Sequence, residues 1–120
     1  MNGGFKHIAC NRQGEVAVVQ LLDKRLLAEQ DVDETAEELF ELVNGYEVTR
    51  MIVDFSQVRF IAARMLGKLI TLHKFLRFKE GNFCLFGIEE AVLEAFRITR
   101  LTTTFEIADD EAAALNRLGA

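Results

Sequence analysis

Two histidines, two cysteines, a single serine and a run of carboxylates are the residues of this 120-residue chain that could do chemistry. Nucleophilic catalysis needs a hydroxyl or thiol beside a base, and a zinc site needs His and Cys ligands at short spacings. Ser56 has no histidine near it in sequence. His73 shares a helical face with Leu66, Leu69, Ile70 and Leu76 and reads as a satisfied core histidine. His7 falls in an opening strand, where a half-exposed polar position is expected. Cys10 and Cys84 sit among strand-forming residues and read as small buried apolar thiols, and two isolated cysteines in an intracellular chain rarely pair. The run Glu29-Gln30-Asp31-Val32-Asp33-Glu34 has the composition of a calcium loop but lacks the central glycine and the spaced ligands. It reads instead as the acidic first turn of a helix. No phosphate-cradling glycine loop is present. The expectation is a protein that is not an enzyme and uses no cofactor or metal.

The elements that would position these residues follow from hydrophobic period and punctuation. Residues 5–10 loosely alternate and predict a strand, and Asn11-Arg12-Gln13-Gly14 reads as a hairpin turn. Residues 16–22 form an almost continuous apolar strand with both faces covered. A helix opens near Asp31 to Thr35, with Asp31 or Asp33 as its cap. Its apolar stripe is Val32, Ala36, Leu39, Phe40 and Val43, and Asn44-Gly45 ends it. Residues 51–55 predict a strand, 63–79 a helix, 82–86 a strand, 89–96 a short helix and 103–107 a strand. A closing helix over 109–118 is capped by Asp109 or Asp110. Strands alternating with about four helices after an opening β-hairpin define a single-domain α/β sandwich with a mixed β-sheet.

Composition sets further bounds. Half the residues are hydrophobic and 28% are charged, as in a globular domain. A net charge of −5, with the 14 basic residues scattered, argues against nucleic acid as a partner. No apolar run approaches the ~20 residues of a membrane span, and Met1-Asn2-Gly3-Gly4-Phe5-Lys6 has no signal-peptide core. A cytoplasmic location without membrane contact is the expectation.

The helix over 63–79 carries more apolar residues than one buried face requires. At about 100° per residue, Met65, Leu66, Leu69, Ile70, Leu72, His73 and Leu76 point inward. Phe75 and Phe78 fall in the outer sector with Arg64, Lys68 and Thr71. Rings framed by basic residues suit a protein contact surface. The alternatives are that a neighbouring segment covers Phe75 and that Phe78 folds back over the sheet edge.

Within this frame, the segment from Met51 to Leu69 resembles a STAS domain of the anti-sigma-factor-antagonist type. That family's pattern is a strand ending in Asp, a loop reaching an aromatic–aliphatic pair, then Asp-Ser-Ser/Thr-Gly-Leu-Gly opening a helix. Here Asp54-Phe55-Ser56-Gln57-Val58 resembles the strand end, Phe60-Ile61 the pair, and Leu66-Gly67 with Leu69 the helix. Lys79-Glu80-Gly81-Asn82-Phe83-Cys84-Leu85-Phe86-Gly87 resembles the helix exit and next strand. Phe96-Arg97-Ile98-Thr99-Arg100-Leu101, followed by Phe105-Glu106-Ile107, resembles the closing segment, and Glu111-Ala112-Ala113 the last helix. The resemblance implies one STAS domain over residues 1–120.

The departure falls on the functional positions. Ala62 stands where the family has Asp, Ala63 where it has the phosphorylated Ser, and Arg64 and Met65 replace the following Ser/Thr and Gly. The resemblance therefore implies a signalling or transcription-regulating protein that contacts an anti-sigma factor, a histidine-kinase-like ATPase, without being phosphorylated at 63. Its partner-binding residues would be Ala62, Ala63, Arg64, Lys68 and Phe75. Arg64 and Lys68 would either meet carboxylates of that partner or form a solvated basic face. A self-assembling scaffold subunit, with Phe75 and Phe78 buried in a homodimer, is the alternative reading. A small-molecule sensor is less favoured, because tight aliphatic strands leave no obvious polar pocket. Thr102-Thr103-Thr104 reads as a turn and strand leading to Phe105.

Overall fold

The computed structural model describes residues 4–119, so Met1 to Gly3 of the N-terminal stretch considered above lie outside the described residues. Its main sheet has five strands in the order β1-β2-β4-β6-β7, formed by β1 (Ile8–Gln13), β2 (Val16–Leu21), β4 (Arg50–Asp54), β6 (Asn82–Phe86) and β7 (Glu106–Ala108). β1 pairs antiparallel with β2, and every later pairing is parallel. Two-residue strands β3 (Arg25–Leu26) and β5 (Phe60–Ile61) form a separate parallel bridge. The helices are α1 (Glu29–Asn44), α2 (Ala63–Phe78), α3 (Glu90–Ile98) and α4 (Glu111–Arg117). This is the α/β sandwich expected from the sequence, with a mixed sheet and four helices.

Strand period sorts the core into two layers. Ala17, Val19, Leu21, Met51, Val53, Phe83 and Leu85 join the larger cluster with residues of α1, α2 and α3. The intervening Val16, Val18, Ile52, Cys84 and Phe86 pack with Ala114 and Leu118 at α4. β2 and β4 are thus covered on both faces, which is why they read as unbroken apolar runs. An aromatic chain crosses the larger layer. Phe96 lies 5.9 Å, centroid to centroid, from both Phe55 and Phe105, and Phe105 reaches Phe83 at 6.0 Å.

Several boundaries differ from the sequence expectation, each for a physical reason. β1 starts at Ile8 and runs through Asn11, Arg12 and Gln13, and the hairpin turn is Gly14-Glu15, with Gly14 at φ +65°. Those polar residues look like a turn because they lie exposed on an edge strand. α1 begins at Glu29 with Ala28 as a cap that offers no side-chain hydrogen bond, so neither Asp31 nor Asp33 caps it. Ala28-Glu29-Gln30 contains no helix breaker, and the helix winds back to the end of β3. α3 runs two residues past Phe96, to Ile98. β7 is shorter than expected, and residues 102–104 form a turn. At α4 the cap is Asp110, whose carboxylate accepts from the Ala113 N–H at 2.8 Å.

Cys84 is fully buried and Cys10 half-buried. They pack with opposite core layers, with β2 and β4 between their strands. Among the described residues no helix is long and apolar enough to cross a membrane.

Phe96 is fully buried and links Phe55 to Phe105. Phe96→Ala is expected to cost about 3–5 kcal/mol of unfolding free energy, read as a lowered urea midpoint with an unchanged slope.

Candidate functional site

The start of α2 is set from three directions. From β4, the Asp54 carboxylate accepts the Ser56 N–H at 2.8 Å and tightens the turn that leaves the sheet. Gly87, at φ +72°, lies against this turn, where a side-chain Cβ would stand 3.1 Å from Asp54 Oδ1. Buried Phe55 and Val58 then anchor the loop. From the β2–β3 connection, the Lys24 carbonyl accepts the N–H groups of Arg59 and Phe60 at 2.8 and 3.2 Å, and from β3 the Leu26 carbonyl accepts that of Ala62 at 2.9 Å. The Arg25 guanidinium lies 4.6 Å over the Phe60 ring.

The third direction is α1. Asp33 receives Arg64 in a two-pronged pair, Nε to Oδ1 at 2.8 Å and Nη2 to Oδ2 at 3.0 Å. Lys68 Nζ lies 3.6 Å from the same Oδ1, and Glu29 lies 3.4 Å from Arg64 Nη2. The hydrogen bond from Arg64, with the charges of Arg64 and Lys68, holds the Asp33 carboxyl below its ordinary range. Parallel N–H bonds to one carboxylate make this the more directional kind of ion pair.

The residues singled out by sequence occupy one end of α2 and its outer side. Ala62 is half-buried and takes N-cap geometry, φ −91° and ψ 153°, with no side-chain cap. Ala63 and Gly67 are exposed, and nothing lies within 4 Å of a Cβ built at Gly67. Phe75 stands apart from this group. It is half-buried, its ring tilted 41° against that of Phe40 of α1 at 5.7 Å between centroids, with Lys79 Nζ 5.3 Å over its own ring. Phe78 is 84% exposed and does not fold over the sheet. Beside the start of α2, exposed Leu27 and Phe60 line a groove of about 230 Å³ with Ile61 and α3 residues including Val92.

The histidines depart from expectation. His7 is only 4% exposed and sits just before β1, not half-exposed within a strand. Its Nδ1 lies 2.9 and 3.0 Å from the two Asp23 oxygens and its Nε2 lies 2.9 Å from Glu34 Oε1. Burial opposes charging the ring, but hydrogen bonds to Glu34 and Asp23 and the charges of Asp23 and Glu38 outweigh it, raising the pKa above the ordinary 6.5. Glu34 is correspondingly held down to about 2, by hydrogen bonds from Gln30 and His7 and by Lys6. His73 is not satisfied: its Nδ1 is buried without a hydrogen-bond partner among the described residues. Its ring lies between Phe83 and Phe105, at 5.7 and 5.4 Å, and burial and then Arg77 lower its pKa. A polar cavity also exists where none was expected, about 380 Å³ lined by His73, Arg77, Asn82, Thr104, Glu106 and Arg117. Its lining comes from α2, β6, the α3–β7 turn, β7 and α4, so no local pattern announces it.

A family model described as STAS domain matches residues 11–114, and the chain belongs to the STAS family. No curated protein sequence matches it. Its fold is similar to that of an anti-sigma factor antagonist from Mycobacterium paratuberculosis, at TM-score 0.82 and 18% identity over 94% of this chain and 93% of that one. It is similar also to the anti-sigma factor antagonist SpoIIAA in its unphosphorylated form, at TM-score 0.71 and 16% identity over 94% and 98%. A chain of the stressosome, described as a signal integration and transduction hub, matches at TM-score 0.68 and 18% identity over 92% and 96%. At these identities the likeness is one of fold.

Because α2 starts without a side-chain cap, Ala62→Asp should raise stability by about 1 kcal/mol. The check is an increased urea midpoint, and an unchanged or lowered midpoint would mean that the bracketing by Leu26 and Asp33 leaves nothing for a cap to add.

Proposed function

We propose that this chain is a regulatory STAS protein that works by binding another protein through Ala62, Ala63, Arg64 and Lys68, with Phe75 at the margin. The partner is an anti-sigma factor of the histidine-kinase-like ATPase class, and binding proceeds without phosphorylation at position 63. The working unit is one domain over residues 1–120. The observation that carries this reading is the open start of α2, bracketed by β3 and α1. Ala63 and Gly67 face solvent one turn apart, a partner backbone can approach them closely, and exposed Leu27 and Phe60 line a groove with Ile61 just before the helix. A methyl group at 63 has no oxygen to accept a phosphoryl group, so phosphorylation at this position is not what switches the surface.

Arg64 and Lys68 do not present bare cations. Asp33 already engages both, so the surface offers a neutralised, ordered ion pair rather than a steering charge. A partner would recognise its shape and its spare guanidinium and ammonium donors.

A second reading rests on Phe78, the most exposed of the large apolar side chains among the described residues. With Phe75 partly covered by Phe40, self-association into a scaffold would centre on Phe78. Light scattering separates the two readings: a dimer mass that reverts to monomer in Phe78→Ser supports the scaffold.

The binding reading is tested by affinity capture from lysate of the source organism with mass spectrometry. Wild type should recover a histidine-kinase-like ATPase, and Ala63→Arg and Arg64→Glu should each weaken recovery about tenfold or more. Recovery of only the chain itself, or equal recovery by all three proteins, would overturn it.

A further inference from the structure

His7 makes contacts that the binding surface does not use, yet its two carboxylate partners lead to that surface by separate routes. Nδ1 engages Asp23, the residue before Lys24, whose carbonyl holds the Arg59 and Phe60 N–H groups. Nε2 engages Glu34, the residue after Asp33, which holds Arg64 and Lys68. The backbone beside the ring is pinned as well. The Lys6 and His7 N–H groups donate to Glu38, both at 2.8 Å, and the Leu22 N–H donates to the His7 carbonyl at 2.9 Å. One buried imidazole thus ties the β2–β3 connection to α1, and both of these bracket the start of α2.

The charged groups around the ring are unbalanced. Facing it are Asp23 from the β2–β3 connection and Asp31, Glu34 and Glu38 from α1, with Lys6, 3.5 Å from Glu34, the cation on its own segment. Ionised carboxylates only accept hydrogen bonds, so satisfying Asp23 and Glu34 together requires two ring N–H groups. Only the imidazolium has two. A neutral ring has one, and its remaining lone pair must face a carboxylate. Asp23 has His7 as its hydrogen-bond donor, whereas Glu34 also has Gln30 and Lys6. The neutral ring therefore keeps Nδ1–H on Asp23 and gives up Glu34.

We infer that His7 is a proton-operated latch that sets the position of the α1 turn bearing Glu34 and Asp33, and through Asp33 the start of α2. The protonated latch holds the Arg64 end of the helix in the geometry described above, and loss of the proton releases it. The inference deepens the proposed binding role of that surface and rests on it for its biological meaning, but its test needs no partner. The sign follows from the direction in which the folded protein moves the His7 pKa. The latch's contribution is fully present below pH 6.5, the ordinary value, and is lost as pH rises through the higher folded value.

The test is an NMR titration of the full chain from pH 5.5 to 8.0. It follows the His7 ring, the Ala63, Arg64 and Met65 amides and the Arg64 Nε–H. In wild type the α2 signals should shift in one step with the His7 ring, at a midpoint above 6.5. Glu34→Gln supplies an amide that can donate to or accept from Nε2, and it should fold and lose the α2 step while the ring still titrates. His7→Gln should lose the step outright. Flat α2 signals across the His7 transition, a midpoint at or below 6.5, or a step that survives in both variants would overturn the latch. If Arg64→Glu captures the ATPase as well as wild type while the step persists, the binding surface falls and the latch stands.

Discussion

Burial of β4 on both faces is the constraint from which the rest of the molecule follows. Met51 and Val53 face the α1–α2–α3 layer while Ile52 faces α4, and all three are fully buried. Its two neighbours, β2 and β6, pair with it in parallel and send alternate residues into the same two layers. The chain then leaves the sheet at the carboxyl end of β4, its central strand, where Asp54 turns it and Gly87 gives it room. The start of α2 therefore stands at the carboxyl ends of the parallel strands. That end is where open α/β sheets present their working residues.

α1 is the second frame, and adjacent residues on it look opposite ways. Asp33 turns to α2 and Glu34 turns to His7. The two carboxylates share one helical turn, so a displacement of either carries the other with it. β3 does the same from the other side, since its two residues and the preceding Lys24 carbonyl hold the loop that becomes α2. Both frames converge on Ala62 and Arg64.

This explains what was legible in the sequence and what was not. Buried strands and helix faces were readable because burial repeats with period 2 or 3.6, and the inward arc of α2 from Met65 to Leu76 is buried or half-buried as its spacing implied. The alanines at 62 and 63 were visible as departures from a family pattern. Contacts without period were not legible. β3 and β5 have two residues each, too few to show alternation. The partners of His7 lie 16 and 27 positions away, and Asp33 lies 31 from Arg64. Polar residues at the end of β1 mimic a turn because both an exposed edge and a loop favour them. Phe75 belonged to the outer sector by angle, yet α1 reaches far enough round for Phe40 to cover part of it.

The alanines bear on this last point. A helix that begins with Ala62 and Ala63 gives up a side-chain cap worth about 1 kcal/mol and carries Arg64 where the helix dipole disfavours a cation. The compensation comes from outside the helix: the Leu26 carbonyl takes the Ala62 N–H, and Asp33 with Glu29 surrounds Arg64. A self-capped helix would hold its own end wherever its neighbours moved. This one is held by β3 and α1, so its first turn reports their positions. With no side-chain cap of its own, the start of α2 takes its position from the groups that bracket it.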